Sequence, residues 1–337
     1  MSINNCTISS LALSGWNQHW EDLFVKYEGP YLPGRISTVQ KTRFEVIIPG
    51  DIISVPLSGA LKSQKMYPVV GDFVVILNQP ESATRMIVAI LPRKTVLTRG
   101  GAGDSSGKQV LAANIDTVFI VTEPGKDLSI ARLERYLMIT RSSGALPVII
   151  LNKSDTCPDI PEVVRMINSE IRDIPVVPVS AAEKTGLDTL NPYLGPGKTA
   201  LFIGSSGVGK STLTNALTGK TLQETRDIRE DDGKGRHTTT VRHLLSLPDG
   251  SSLIDTPGLR EIRIWTAGES IAETFDDIVE YASRCRFTDC SHNNEPGCAV
   301  RQAIEDGILS QDRFFRYQKI LKEISFEREK ADIGLKR

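Results

Sequence analysis

VIILNKSD, residues 148–155, is an apolar run that breaks abruptly into an Asn, a Lys and an Asp. LFIGSSGVGKST, residues 201–212, repeats the plan further along: an apolar run, then a polar loop, here rich in glycine. The second stretch contains GSSGVGKS, residues 204–211, which fits G-x-x-x-x-G-K-[ST] between a strand pattern and a helix pattern. Gly204, Gly207 and Gly209 let the backbone curl around Ser205, Ser206 and Val208 so that its N–H groups face phosphates. Lys210 then neutralises β/γ oxygens, Ser211 is placed to ligate Mg²⁺, and Thr212 continues into the helix. The first stretch is a base reader. The Asp155 carboxylate accepts from both N1–H and the 2-amino group of guanine, which adenine does not offer. The Lys153 stem packs on the purine beside Ser154, and Asn152 braces neighbouring loops. Ser180 and Ala181, after PVVPV, fit the last base-contacting loop. GTP or GDP, rather than ATP, is the ligand these residues suit.

In an ordinary GTP-binding domain the phosphate loop precedes the base reader; here the order is reversed. A circular permutation explains this, because domain termini tend to lie close together and can be joined while the chain is cut elsewhere. LNPYLGPGKTALF is the joining segment. The runs IDTVFIVTE, PVIILNKSD, PVVPVSA, TALFIG and SSLIDTPG end in polar loops and predict a mostly parallel sheet buried on both faces. Ligands of such sheets sit at the carboxyl ends of the strands, where every polar motif falls.

The rest of the chain divides around that domain. RISTVQ, RFEVII, IISVPL, DFVVIL and RMIVAIL are β-branched runs between turns, and they predict a five-stranded barrel of the oligonucleotide-binding (OB) type, with an SH3-like barrel as the alternative. Its basic residues suit RNA contact or a plain solvated surface equally. RGGAGDSSGK, residues 99–108, has the composition of a flexible linker. Helical, charged segments at 269–282 and 311–330 flank a cysteine cluster. The expected layout is an N-terminal segment over 1–34, the barrel over 35–98, a linker over 99–110, a permuted P-loop GTPase domain over 111–267 and a zinc-binding helical module over 268–337. The segment around LALSGWNQHWEDLF reads as packing onto a neighbouring domain.

Composition narrows the class further. The 337 residues carry a formal net charge of −1, so any contact with nucleic acid must come from local patches. No apolar run approaches a membrane span, and neither a secretory leader nor a lipidation signal is expected from either end. Five cysteines, three of them between 285 and 298, point to metal binding in a reducing compartment, with the cytoplasm as the default. Cys285, Cys290, His292 and Cys298 read C-x₄-C-x-H-x₅-C. Three thiolates and an imidazole fill a tetrahedral zinc shell, so one structural Zn²⁺ is expected.

Two switch segments complete the GTPase parts. Asp255 in DTPG, residues 255–258, is placed to hold the Mg²⁺ shell, and Gly258 offers its N–H to the γ-phosphate. GKGRHTTT, residues 233–240, should supply a threonine to Mg²⁺; Thr239 is the first choice, with Thr238 and Thr240 open, and the β-branched threonines equally suit the start of a strand. The position after the DTPG glycine is Leu259, which cannot orient a water. His237 is the nearby group whose ordinary pKa suits proton handling near neutrality, and it is the candidate catalytic residue.

NKSD, GSSGVGKST, GKGRHTTT, DTPG and CRFTDCSHNNEPGC, in that order behind a barrel, resemble the circularly permuted, ribosome-associated GTPases that depend on the small ribosomal subunit (the RsgA/YjeQ family). Leu259 stands where an aromatic is common in that family. The resemblance implies a GTP hydrolase acting in late maturation of the small subunit, contacting rRNA and ribosomal proteins as a monomer, with GTP/GDP, Mg²⁺ and zinc as its ligands. It also points to His237. A regulatory GTP-binding adaptor with negligible turnover is the alternative, and a membrane trafficking role is disfavoured.

Overall fold

The computed structural model describes residues 9–79, 81, 84–99, 109–125, 127–219, 242–255 and 268–334. The barrel strands are β1 (Tyr31–Val39), β2 (Phe44–Ile48), β3 (Asp51–Val55), β4 (Phe73–Gln79) and β5 (Thr84–Ile90). β1 lies between β2 and β4, and β5 pairs with β4. A parallel bridge from Leu57, just past β3, to Ile87 of β5 joins the two edges. This is the Greek-key closure of the OB-type barrel, and it removes the SH3-like alternative. Ile36, Val46, Val74, Ile76 and Ile87 fill the interior. Gly34 is required there, because a Cβ would lie 2.5 Å from Val46 Cγ1.

The N-terminal segment forms two short helices, α1 (Ser9–Leu13) and α2 (Gln18–Phe24). Trp16, Trp20 and Phe24 pack on the outside of the barrel, with Trp16 and Trp20 ring centroids 5.6 and 4.4 Å from Phe73. Arg35, fully buried, donates to the carbonyls of Ser14, Gly71 and Asn114. Burial lowers its pKa to about 10. One guanidinium therefore ties the N-terminal helices, the barrel and the approach to the next domain.

β6 (Val96–Arg99) and β7 (Gln109–Ala113) pair antiparallel, with Arg99 opposite Gln109. The expected linker over 99–110 therefore begins and ends inside a hairpin, since its flanking residues alternate well enough to form a ladder; 100–108 lie outside the described residues. The GTPase sheet follows, built from β8 (Thr117–Thr122), β9 (Leu146–Leu151), β10 (Val176–Pro178), β11 (Thr199–Gly204), β12 (His243–Ser246) and β13 (Ser252–Asp255). Its spatial order is β10-β9-β8-β11-β13-β12, parallel except for β12. The strand carrying the phosphate loop, β11, is thus central although it is the fourth of this domain's strands in chain order. Alternate residues serve opposite faces, as period-2 geometry requires. Val118, Ile120, Leu201 and Ile203 join one core, Phe119, Val121, Ala200 and Phe202 the other. The sheet continues into the barrel at one point, where Thr38 of β1 pairs with His243 of β12.

Helices α4 (Ile130–Ser143), α5 (Ile160–Glu170) and α6 (Lys210–Thr218) belong to this domain, and α3 (Gly59–Ser63) to the barrel. The C-terminal module holds α7 (Gly268–Thr274), α8 (Asp276–Ala282), α9 (Ala299–Glu305) and α10 (Gln311–Gly334). The helical segment expected over 269–282 is two helices. Phe275 leaves the helical region (φ −121°, ψ 41°) and is fully buried, its ring 5.3 Å from that of Tyr317. Burial of the ring against α10 outweighs helix continuity. Among the described residues, no helix is long and apolar enough to cross a membrane.

Candidate nucleotide site and metal centre

The carboxyl ends of β8, β9, β10, β11 and β13 lie along one edge of the sheet, because all five run parallel in matched register. The phosphate loop leaves β11 there. Gly204, Gly207 and Gly209 have φ of 147°, 88° and 91°, values that favour glycine over any L side chain. A Cβ on Gly204 would sit 2.3 Å from Val121 O, and one on Gly209 2.3 Å from Asn152 Nδ2. Both glycines are therefore forced by packing as well as by φ. Val208 is buried and anchors the loop, whereas Ser206 and Gly207 face solvent. Lys210 Nζ donates to Gly204 O at 2.8 Å and to Ser205 O, so it is folded back over the loop. Ser211 and Thr212 begin the exposed first turn of α6. Curled backbone, a helix N-terminus and a lysine over the loop form a cradle that fits a nucleotide's phosphates.

Asn152 decides the geometry between loops. It is buried at 1% exposure. Its Nδ2 donates to Val208 O at 2.8 Å, and its Oδ1 accepts from Ala181 N at 3.1 Å. One amide thus joins NKSD, the phosphate loop and the Ser180–Ala181 loop. Ser154 N donates to Val179 O at 3.1 Å, which closes the same edge, and Ser180 is fully buried. Lys153 takes a left-handed conformation (φ 58°) and its Nζ pairs with Glu123 Oε2. Asp155 lies in a single 3₁₀ turn with an exposed side chain. Asp255 stands at the end of β13, one residue past the Leu201–Ile254 pair, and so on the same edge. Gly258, His237 and Thr239 lie outside the described residues, as do Thr238, Thr240 and Leu259.

Two contacts carry no motif in the sequence. Glu123 follows β8 directly and pairs with Lys153; an acid just past a strand end is the only hint. Arg132 Nη1 of α4 donates to Ser205 Oγ, and Tyr136, one turn further along the same face, is buried. Burial pushes the Tyr136 hydroxyl pKa up. Nothing in α4's pattern marks these residues as neighbours of a loop some seventy positions away.

The cysteine cluster assembles from helix ends. Cys285 follows α8, and Cys298 caps α9, its Sγ accepting from Arg301 N at 3.5 Å. Arg286 N donates to Gly297 O at 3.2 Å and pinches the intervening loop shut. Within it, Glu295 accepts from the N–H groups of Ser291, Asn293 and Asn294 and from the Ser291 hydroxyl. These bonds, the serine's first, pull its pKa down to about 2. His292 Nδ1 lies 3.5 Å from both Cys285 Sγ and Cys298 Sγ, those sulfurs are 3.9 Å apart, and all four ligand atoms, Cys290's included, fall within 4.8 Å. Ligands at zinc distances of ~2.0–2.3 Å in a tetrahedron are about 3.3–3.8 Å apart. The donor set and its spacing fit zinc.

A P-loop GTPase whose chain is circularly permuted, with an OB-type barrel before it and a Cys₃His module after it, is the class of protein that strand order and loops define. The sequence pattern of the RsgA GTPase family matches residues 90–265, and the chain belongs to that family. A protein of Methanosarcina acetivorans named small ribosomal subunit biogenesis GTPase RsgA is 55% identical over 325 residues, covering 96% of this chain and 88% of the relative. The crystal structure of YjeQ from Thermotoga maritima matches with a TM-score of 0.66 at 28% identity, covering 87% of this chain and 98% of that one. The crystal structure of YloQ, described as a circularly permuted GTPase, matches in fold with a TM-score of 0.64 at 24% identity, covering 89% and 98%. The chain is a GTPase of this family, and GTP, GDP and Mg²⁺ are the ligands the family implies.

Proposed function

We propose that this GTPase acts in late maturation of the small ribosomal subunit; its relatives are named small ribosomal subunit biogenesis GTPases. It binds the subunit in one nucleotide state, contacting rRNA and ribosomal proteins, and leaves in the other. The observation that carries the nucleotide half is the Asn152 amide, which locks base loop and phosphate loop in one geometry. On this reading Asp155 recognises guanine, Lys153, Ser180 and Ala181 line the base, and the loop 204–212 holds the phosphates. Ser211, Asp255 and Thr239 share Mg²⁺, Gly258 meets the γ-phosphate, and His237 orients the attacking water. One zinc held by Cys285, Cys290, His292 and Cys298 fixes the C-terminal module, which with the barrel grips the subunit. The domain limits 1–34, 35–98, 99–110, 111–267 and 268–337 hold with two adjustments, the barrel opening at Tyr31 and the linker lying between Arg99 and Gln109, and the protein acts in the cytoplasm as a monomer.

Multiple-turnover phosphate release, with and without small subunits, tests this. Stimulation by the subunit, lost in His237→Ala, is the expected result. Turnover too slow to measure in both conditions would instead make the protein a GTP-binding adaptor. Co-sedimentation with small subunits should be stronger with a non-hydrolysable GTP analogue than with GDP.

A further inference from the structure

Helix α4 presents two opposite faces to two different functional regions. Arg132 and the buried Tyr136, four residues apart, share one face, from which Arg132 Nη1 donates to Ser205 Oγ. Arg132 is itself braced by Asp127 at 2.5 Å. The carbonyl of that same Ser205 accepts from Lys210 Nζ. Ser205 thus holds the phosphate-loop lysine with its backbone and is held by α4 through its side chain.

The opposite face carries Glu134, Met138 and Arg141. Glu134 is fully buried and accepts from Arg313 Nη1 at 3.1 Å and Arg316 Nε at 2.8 Å, both on α10. Arg313 also grips Asp277 of α8 at 2.8 and 3.0 Å, with the carbonyls of Thr274 and Glu170 at 3.0 and 2.8 Å. Met138 lies in the same apolar cluster as Phe275, Cys298 and Phe314. Arg141 reaches the Glu273 carbonyl and the Thr274 hydroxyl. Phe314, next to Arg313, meets the edge of the His292 ring at 6.1 Å. The zinc cluster therefore touches the helix that clamps Glu134. A buried carboxylate shared by two guanidiniums tolerates no partial slip, because unpairing it in the interior is costly. α10 and α4 must move together.

We propose that Arg132 is a positioning residue for the phosphate loop, and that Glu134 makes its position answer to the seating of the C-terminal module. A partner that tilts α10 shifts α4 as a rigid rod, and the shift arrives at Ser205 and Lys210 without passing through the switch segments. The regulatory half of this inference rests on the reading that the C-terminal module docks the small subunit; the half concerning Arg132 does not.

The experiment measures KM for GTP and kcat for the full-length, zinc-loaded chain with and without small subunits. Arg132→Ala should raise KM about tenfold without subunits, the scale of one lost charge-assisted hydrogen bond, with kcat changed far less. Arg132→Lys, which restores one N–H donor, should recover most of that loss. Glu134→Gln should leave KM without subunits near wild type and cut stimulation by subunits. Arg141→Ala, at the exposed end of α4, should do the same more mildly and serves if Glu134→Gln folds poorly. In Arg132→Ala plus Glu134→Gln, loss of stimulation should be no greater than in the worse single variant. A wild-type KM in Arg132→Ala overturns the positioning role. Wild-type stimulation in both Glu134→Gln and Arg141→Ala, or losses that multiply in the double variant, overturns the relay. Failure of subunits to stimulate the wild type would overturn the partner reading and the relay that depends on it, while the Arg132 KM result would still stand or fall alone.

Discussion

The nucleotide edge and the Cys₃His module solve one problem, holding distant loops in register, by different means. At the nucleotide edge five parallel strands with both faces buried set the loop positions, and a single amide from Asn152 trims the fit. The hydrophobic core does the holding and side chains the tuning. In the C-terminal module three seven-residue helices and the 24-residue α10 share one small core, and strands are absent from it among the described residues. There the ligand atoms of four side chains converge within 4.8 Å of one another. The difference teaches that the first site survives loss of any one polar group, whereas the second depends on its staple.

Removing the staple should therefore break the comparison most sharply. Cys290→Ser is expected to abolish stoichiometric zinc and unfold the module, a loss on the order of 10 kcal/mol of metal-linked folding energy. Metal analysis and limited proteolysis would read this, with GTP binding largely retained; loss of both together would mean the two regions fold as one. Next in size, Asp155→Ala should reduce the preference for GTP over ATP by up to ~10⁴, since an unpaired carboxylate is what rejects adenine. Competition calorimetry checks it, and an unchanged preference would move base recognition elsewhere.

Arg313→Ala leaves Asp277 and half of Glu134's pairing unmet in the interior. We expect about 3–5 kcal/mol lower stability in denaturant unfolding, with α10 released first. The smallest effect sharpens the contrast from the other side. Asn152→Ala loses two hydrogen bonds inside an intact core, so GTP affinity should weaken by roughly 1–3 kcal/mol in titration while the melting transition barely moves. A collapse of the whole domain would show that the amide, rather than the sheet, sets the edge.

Much of the site was legible because its chemistry is local. Gly204, Gly207, Gly209 and Lys210 are close in sequence and their φ requirements act residue by residue; the thiols and imidazole of Cys285, Cys290, His292 and Cys298 likewise span a single loop. β12 was missed because His243–Ser246 is four residues long and takes its partners from β13 and the barrel. The break at Phe275 was missed because helix propensity is weak beside the burial of an aromatic ring.

The sequence by itself supplied the candidate parts of the nucleotide and metal sites and, through their order, the permutation, since motif order along a chain needs no coordinates. Only the tertiary structure decided how those parts are joined: Asn152 between three loops, Arg35 between three segments, and Glu134 shared by Arg313 and Arg316. Each of these is a buried polar group whose partners are far away in the chain. Local patterning marks such residues as out of place, but the packing of the whole fold supplies the groups that satisfy them.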